Sequence, residues 1–171
     1  MPKFSLTIGN TVSLIALISA VTLAKNAYLL DYPFRIVVLI VCWFAMLYFS
    51  HCLGHYVVGR ILGIRFRYYF LSKSMLSKAG IPILSKLMSA KVFMTLKLAE
   101  RPKGLRGFVM FLAGPLASMF SPLVIAFIAG YDPTSSKILF ALTIANAVFS
   151  GFFSFRHGCI RKAIECLGST N

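Results

Sequence analysis

Carboxylates are scarce in this chain. Only four of its 171 residues are acidic, Asp31, Glu100, Asp132 and Glu165, against 18 lysines and arginines. Any chemistry that needs an acid, as base or as ligand, must draw on those four. Histidine is scarcer still, at His51, His55 and His157 only. The four cysteines do not read as a disulfide framework. Cys42 lies inside an apolar run, Cys52 between two histidines, and Cys159 and Cys166 in a basic tail. Free thiols or metal ligands are expected of them on a reducing face of a membrane. No internal repeat divides the chain. Charge is absent altogether from residues 4–24, 36–59, 107–131 and 138–155.

Those four uncharged runs set the fold class. A helix needs roughly 20 apolar residues to cross the hydrocarbon of a bilayer, and each run is near that length. The sequence predicts an all-α polytopic membrane protein in one domain, with helices at about 4–24, 36–62, 107–131 and 138–155. A signal peptide is the alternative for 4–24, because small residues occur near Ser19-Ala20. A retained helix is preferred, since the apolar stretch continues to Lys25.

A net charge of +14 would suggest nucleic acid in a soluble protein. Here the placement of the charge argues otherwise. Eleven basic residues fall between Arg60 and Arg106, and Arg156, Arg161 and Lys162 follow the fourth run. The other two connections are short and carry Asp31 and Asp132. By the positive-inside rule the loop 63–104, the tail 156–171 and the N-terminus are cytoplasmic in a cell membrane. No nucleic-acid partner is expected, whereas the basic loop is suited to anionic lipid headgroups. Within that loop, Arg65–Phe70 and Ala90–Leu98 are rich in strand formers and have the makings of a small β-hairpin. Between them Ala79-Gly80-Ile81-Pro82-Ile83-Leu84 is apolar but too short to span. It reads either as a dip into the interface over a cleft or as an ordinary packing loop.

His51-Cys52-Leu53-Gly54-His55 is the motif that carries chemistry. Histidines at i and i+4 share one helix face and can place two imidazoles on one Zn²⁺. With four alternating passes, the second and fourth helices run in the same direction, so His157 falls on the same side of the bilayer as the pair. Cys159 offers a soft ligand two residues on. A His₃ or His₃Cys site suits zinc, with copper or a bis-His haem as other readings. Three packing histidines are the plain alternative. Asn146 lies deep in the fourth run and is either a functional polar group or an interhelical hydrogen bond. Gly114-Pro115 lies inside the third run, where proline is expected to kink the helix and free carbonyls that need partners.

Taken with Gly59-Arg60 and Gly63, the histidine motif resembles the active-site helix of the site-2 protease family, intramembrane zinc metalloproteases with a His-Glu-x-Gly-His motif. Ala113-Gly114-Pro115-Leu116-Ala117-Ser118 is similar to that family's Gly-Pro-x-x-Asn helix, with Ser118 at the Asn position. Asn146 and the segment Phe153–Gly158 resemble the stretch ending in the family's Asp-Gly metal motif. The resemblance puts His157, or Cys159 after a two-residue shift, at the ligand Asp position. It puts Cys52 at the general-base Glu position.

These departures shape the functional expectation. A thiol replaces the base, so the chain is expected to be a non-proteolytic relative, a pseudoenzyme that binds a membrane protein or peptide client, with a candidate zinc site. An active peptidase with altered ligands is one alternative. A small structural or redox subunit of a membrane complex is the other. The charge map also makes a direct prediction. Single cysteines introduced near Asp31 and near Asp132 should react with an impermeant thiol reagent added outside the cell. Labelling from outside at Lys78→Cys would overturn the topology and part the histidines from the basic face.

Overall fold

The four uncharged runs become four helical spans that are long and apolar enough to cross a membrane. The computed structural model describes residues 3–72 and 93–168. Its helices are α1 (Leu6–Asn26), α2 (Phe34–Ile61), α3 (Gly104–Phe120), α4 (Leu123–Ile128), α5 (Pro133–His157) and α6 (Cys159–Gly168). Short 3₁₀ turns at Ala27–Leu29 and Ala129–Tyr131 extend α1 and α4. Strands β1 (Lys3–Phe4), β2 (Phe66–Ser72) and β3 (Phe93–Leu98) form one antiparallel sheet in the order β1-β2-β3. The two strands expected from composition do pair with each other. The third, at the N-terminal end, is an addition that two residues could not announce. The apolar segment Ala79–Leu84 lies outside the described residues.

Small residues let the helices approach. Ser5 caps α1 by accepting from the Ile8 N–H at 3.2 Å. Ala20, Ala24 and Ala27 then bury against Leu39, Cys42 and Trp43 of α2 and against Ile125, Ala126 and Ala129. Trp43 Nε1 donates to Thr143 Oγ1 of α5 at 2.8 Å, and Thr143 donates on to the Leu139 carbonyl at 2.8 Å. Both polar groups are thereby satisfied inside an apolar core, where an unpaired one would cost roughly several kcal/mol.

The two short connections meet at one end of the bundle. Arg35 Nη2 donates to the Leu30 carbonyl at 2.8 Å, and Nη1 lies 3.9 Å from Asp132. Asp132 also caps α5, accepting from Thr134 N–H and the Ser135 hydroxyl at 3.1 and 2.6 Å. These bonds, the Ser135 hydroxyl first among them, hold its carboxyl below the usual carboxylate range. Pro133 follows at the first helical position, where its missing N–H costs nothing. The helix therefore begins five residues before the uncharged run does.

The third span carries two prolines, Pro115 and Pro122. α3 continues through Pro115 and breaks at Ser121-Pro122. Pro122 has no N–H to give the Ser118 carbonyl, its partner one turn back. Asn146 Nδ2 of α5 reaches that carbonyl at 3.3 Å, and its own Oδ1 accepts from Ser150 at 3.0 Å. Asn146 thus makes an interhelical hydrogen bond.

The sheet closes the opposite end. The Tyr69 ring lies against Gly9 of α1, where any Cβ would collide with it. Its hydroxyl donates to Asn10 Oδ1 at 2.7 Å. On the other side, β3 is tied to α2: the Met94 N–H donates to the Tyr48 hydroxyl at 3.0 Å. After α5 the chain turns at Gly158 and α6 folds back along α3. Cys166 Sγ donates to the Pro102 carbonyl at 3.2 Å, and Ala163 is fully buried. Glu165 pairs with Arg101 at 2.7 Å and Arg161 at 3.1 Å, which hold its carboxyl below the usual range.

Candidate metal centre

α2 and α3 pack closely where the histidines lie. Gly54 makes the approach possible: a Cβ there would come within 2.8 Å of Ala117 Cβ and 2.9 Å of the Ala113 carbonyl oxygen. One residue on, the His55 imidazole fills the space beside Gly114, where a Cβ would collide with its Nε2. The His55 ring is buried, with Nδ1 2.7 Å from the Met110 carbonyl. A carbonyl only accepts, so Nδ1 carries the proton and Nε2 keeps its lone pair.

His51 is set in the same way by a different partner. Its Nδ1 lies 3.2 Å from Ser118 Oγ, and Ser118 gives its one hydrogen to the Pro115 carbonyl at 3.0 Å. With its hydrogen given to that carbonyl, the hydroxyl accepts from Nδ1–H, and in that tautomer Nε2 keeps a lone pair. The two rings stand 4.9 Å apart between centroids, nearly perpendicular at 86°. Outer partners of this kind fix tautomer and orientation at metal-binding histidines.

The third group comes from the fold-back. Cys159 opens α6, and its Sγ lies 3.8 Å from His51 Nε2. Ligand atoms of His51, His55 and Cys159 all fall within 4.8 Å of one another, a group that could hold a metal ion. For comparison, Zn–N and Zn–S bonds at a tetrahedral angle put nitrogen and sulfur about 3.5 Å apart. The Cys159–His51 pair is already near that spacing, and the group as a whole must tighten from within 4.8 Å to close on an ion.

His157 is not brought to the cluster. It sits at the end of α5, exposed, with its ring 5.7 Å from that of Phe153. The turn at Gly158 carries Cys159 inward in its place. Cys52 is buried, but it donates to the Met94 carbonyl of β3 at 2.9 Å. Successive helix residues point about 100° apart, and that offset directs it to the strand. Gly114 and Ser118 lie beside the candidate ligands, the Pro115 carbonyl accepts from Ser118, and Asn146 holds the Ser118 carbonyl.

Sequence reasoning missed Met110, whose contribution is a backbone carbonyl and carries no side-chain signal. It also missed the strand contact made by Tyr48 and Cys52. Those two lie at i and i+4 on one face of α2, so their spacing was available. No protein-family model, no curated protein and no solved structure matches this chain.

The geometry makes a two-part prediction. Gly114→Ala should displace the His55 ring and abolish stoichiometric metal binding. Ser118→Ala should release the His51 tautomer and weaken binding by roughly 10- to 100-fold, as loss of an outer partner usually does. Competitive titration against a chromophoric chelator checks both. Unchanged affinity in the two variants would mean that these histidines only pack.

Proposed function

We propose that this chain is a multi-pass membrane protein of site-2 protease-like architecture that holds one Zn²⁺ on His51, His55 and Cys159. In this reading it binds a membrane protein or peptide client without cleaving it. Four apolar spans and the gathering of basic residues at the sheet end support a cytoplasmic sheet end, with Asp31 and Asp132 outside. Zinc suits a set of two imidazoles and one thiolate better than the hard cations do.

The observation that carries the non-proteolytic half is the state of position 52. The thiol of Cys52 is buried and engaged with the Met94 carbonyl. None of the four carboxylates can take over the role of a base. Asp132 is bound up at the far turn, and Asp31 lies in the adjoining connection at that end. Glu165 is held by two arginines, and Glu100 lines a cleft at the start of α3. A positioned base is worth roughly 10²–10⁴ in rate.

A bound Zn²⁺ would polarise water or a carbonyl as a Lewis acid. The chain's own groups do the rest: Met110 and Ser118 hold the imidazoles in place, and Gly54 and Gly114 keep the helices close enough to exclude other side chains. Three protein ligands leave a fourth tetrahedral position, which is the observation that keeps an active hydrolase as the second reading.

Two outcomes are expected. Protein purified without chelator should carry one zinc per chain by elemental analysis, lost in His51→Ala and Cys159→Ser and retained in His157→Ala. Retention in Cys159→Ser together with loss in His157→Ala would transfer the site to the other candidate ligand. Wild-type protein should show no metal-dependent cleavage of transmembrane peptides, and Cys52→Glu alone should restore little. Cleavage that a chelator abolishes would instead establish the second reading.

A further inference from the structure

A cleft of about 400 Å³ opens at the sheet end, between the turn that follows α2 and the connection from β3 to α3. Pockets that take small molecules begin at roughly this size. Leu62, Gly63 and Ile64 form one wall, and the segment from Ala99 to Lys103 forms the other. Four cationic side chains line it, Arg65, Arg101, Lys103 and Arg106, with Glu100 as the only acidic one. Arg101 is already paired with Glu165. Arg65, Lys103 and Arg106 form no ion pair among the described residues, so three free positive charges face one carboxylate.

What flanks the cleft is apolar and bare. Ile61, at the end of α2, is 79% exposed, and Leu105, in the first turn of α3, is 69% exposed. Each is the chain neighbour of a residue in the cleft wall. Val109 continues the apolar strip one turn further along α3. Cations in a recess, bordered by exposed aliphatic side chains on apolar helices, match a molecule with a phosphate at one end and hydrocarbon at the other. A free phosphate ion would use the recess and leave the strip uncovered.

We propose that this cleft binds the phosphate of an anionic phospholipid headgroup through Arg65, Lys103 and Arg106, with the acyl chains lying along Ile61, Leu105 and Val109. The proposal rests on the membrane reading given above and is independent of the metal centre. Its basis is position as well as charge. The arginines present planar donor forks suited to phosphate oxygens, and the lysine adds a mobile point charge. Basic residues at a membrane surface contribute about 1 kcal/mol each toward anionic lipid, or roughly fivefold in affinity.

The test is a native mass spectrometry titration of the full-length protein in detergent. The probes are dioctanoyl phosphatidylglycerol, dioctanoyl phosphatidylcholine and inorganic phosphate. One phosphatidylglycerol should bind per chain, at least tenfold more tightly than phosphatidylcholine. The pair R65Q/R106Q should weaken it roughly 25-fold, two charges at the single-charge factor above. The control pair R67Q/K97Q removes the same charge from the neighbouring sheet, outside the cleft, and should change affinity less than threefold. Equal losses in the two pairs would reduce the effect to general surface charge and overturn the site. Inorganic phosphate competing at the same concentration as phosphatidylglycerol would also overturn the lipid assignment, in favour of a free anion. Zinc content is read in the same samples. Absent lipid binding with zinc at one per chain would refute this cleft alone, whereas failure of the protein to enter liposomes would refute the membrane reading beneath it.

Discussion

The His55 imidazole occupies the space that a side chain on Gly114 would fill, and most of the sheet-end architecture follows from that insertion. Because the ring stands between α2 and α3, its Nδ1 meets the Met110 carbonyl and its orientation is fixed. Because Gly54 lies one residue earlier, the helices are close enough for Ser118 to reach His51. Met110, on the same face of α3, packs with Phe66 of the sheet and Ala163 of α6 in one buried cluster. A helix contact built on two glycines thus sets the position of both imidazoles and of the elements that enclose them. Between apolar helices, where hydrophobic burial drives little, such close backbone approach is a main source of association.

The second constraint is that polar groups in an apolar bundle must be satisfied from within. It accounts for features that otherwise look functional. Asn146 replaces the donor that Pro122 lacks. Thr143 completes Trp43. Ser121 donates to the Met46 carbonyl of α2 at 3.1 Å, which ties the broken end of α3 back to the neighbouring helix. Each bond stabilises a place where the backbone or a side chain departs from regular helix. The metal-ligand candidates differ from these in one respect. Each imidazole has Nδ1 engaged, and the Cys159 thiol lies 3.8 Å from His51 Nε2, which gathers three candidate ligands in one place.

Much of this was legible in the sequence. Uncharged runs marked the four spans, because hydrocarbon tolerates few charges and a run's length is a physical quantity. The i, i+4 histidines were legible as a pair, and Ser118 was marked through the Gly114-Pro115 segment but not as the partner of His51. The choice between His157 and Cys159 was not. Helical periodicity says nothing of where α5 ends, and the turn at Gly158 decides which of the two faces inward. Strand β1 was hidden for a related reason: its two residues take their structure from Tyr69 and Phe70, more than sixty positions away in sequence. The interruption at Pro122 depends on which carbonyls find partners, and that is settled by neighbouring helices.

Cys52 shows how a fold can put a buried thiol to structural use. A carboxylate at this position would be an acceptor facing the Met94 carbonyl, another acceptor, in a buried setting. Two acceptors cannot bond to each other, and an ionised group there would carry a large desolvation cost. A thiol is small and apolar, and it donates weakly to that carbonyl. The Tyr48 hydroxyl accepts from the N–H of the same residue, so both backbone groups of Met94 are anchored on one face of α2. The strand is therefore held against the helix by the side chain at position 52 and the one a turn before it. If a carboxylate is to stand there, β3 must move away or Met94 must find another donor. The thiol at position 52 thus helps to fasten the sheet to the histidine helix.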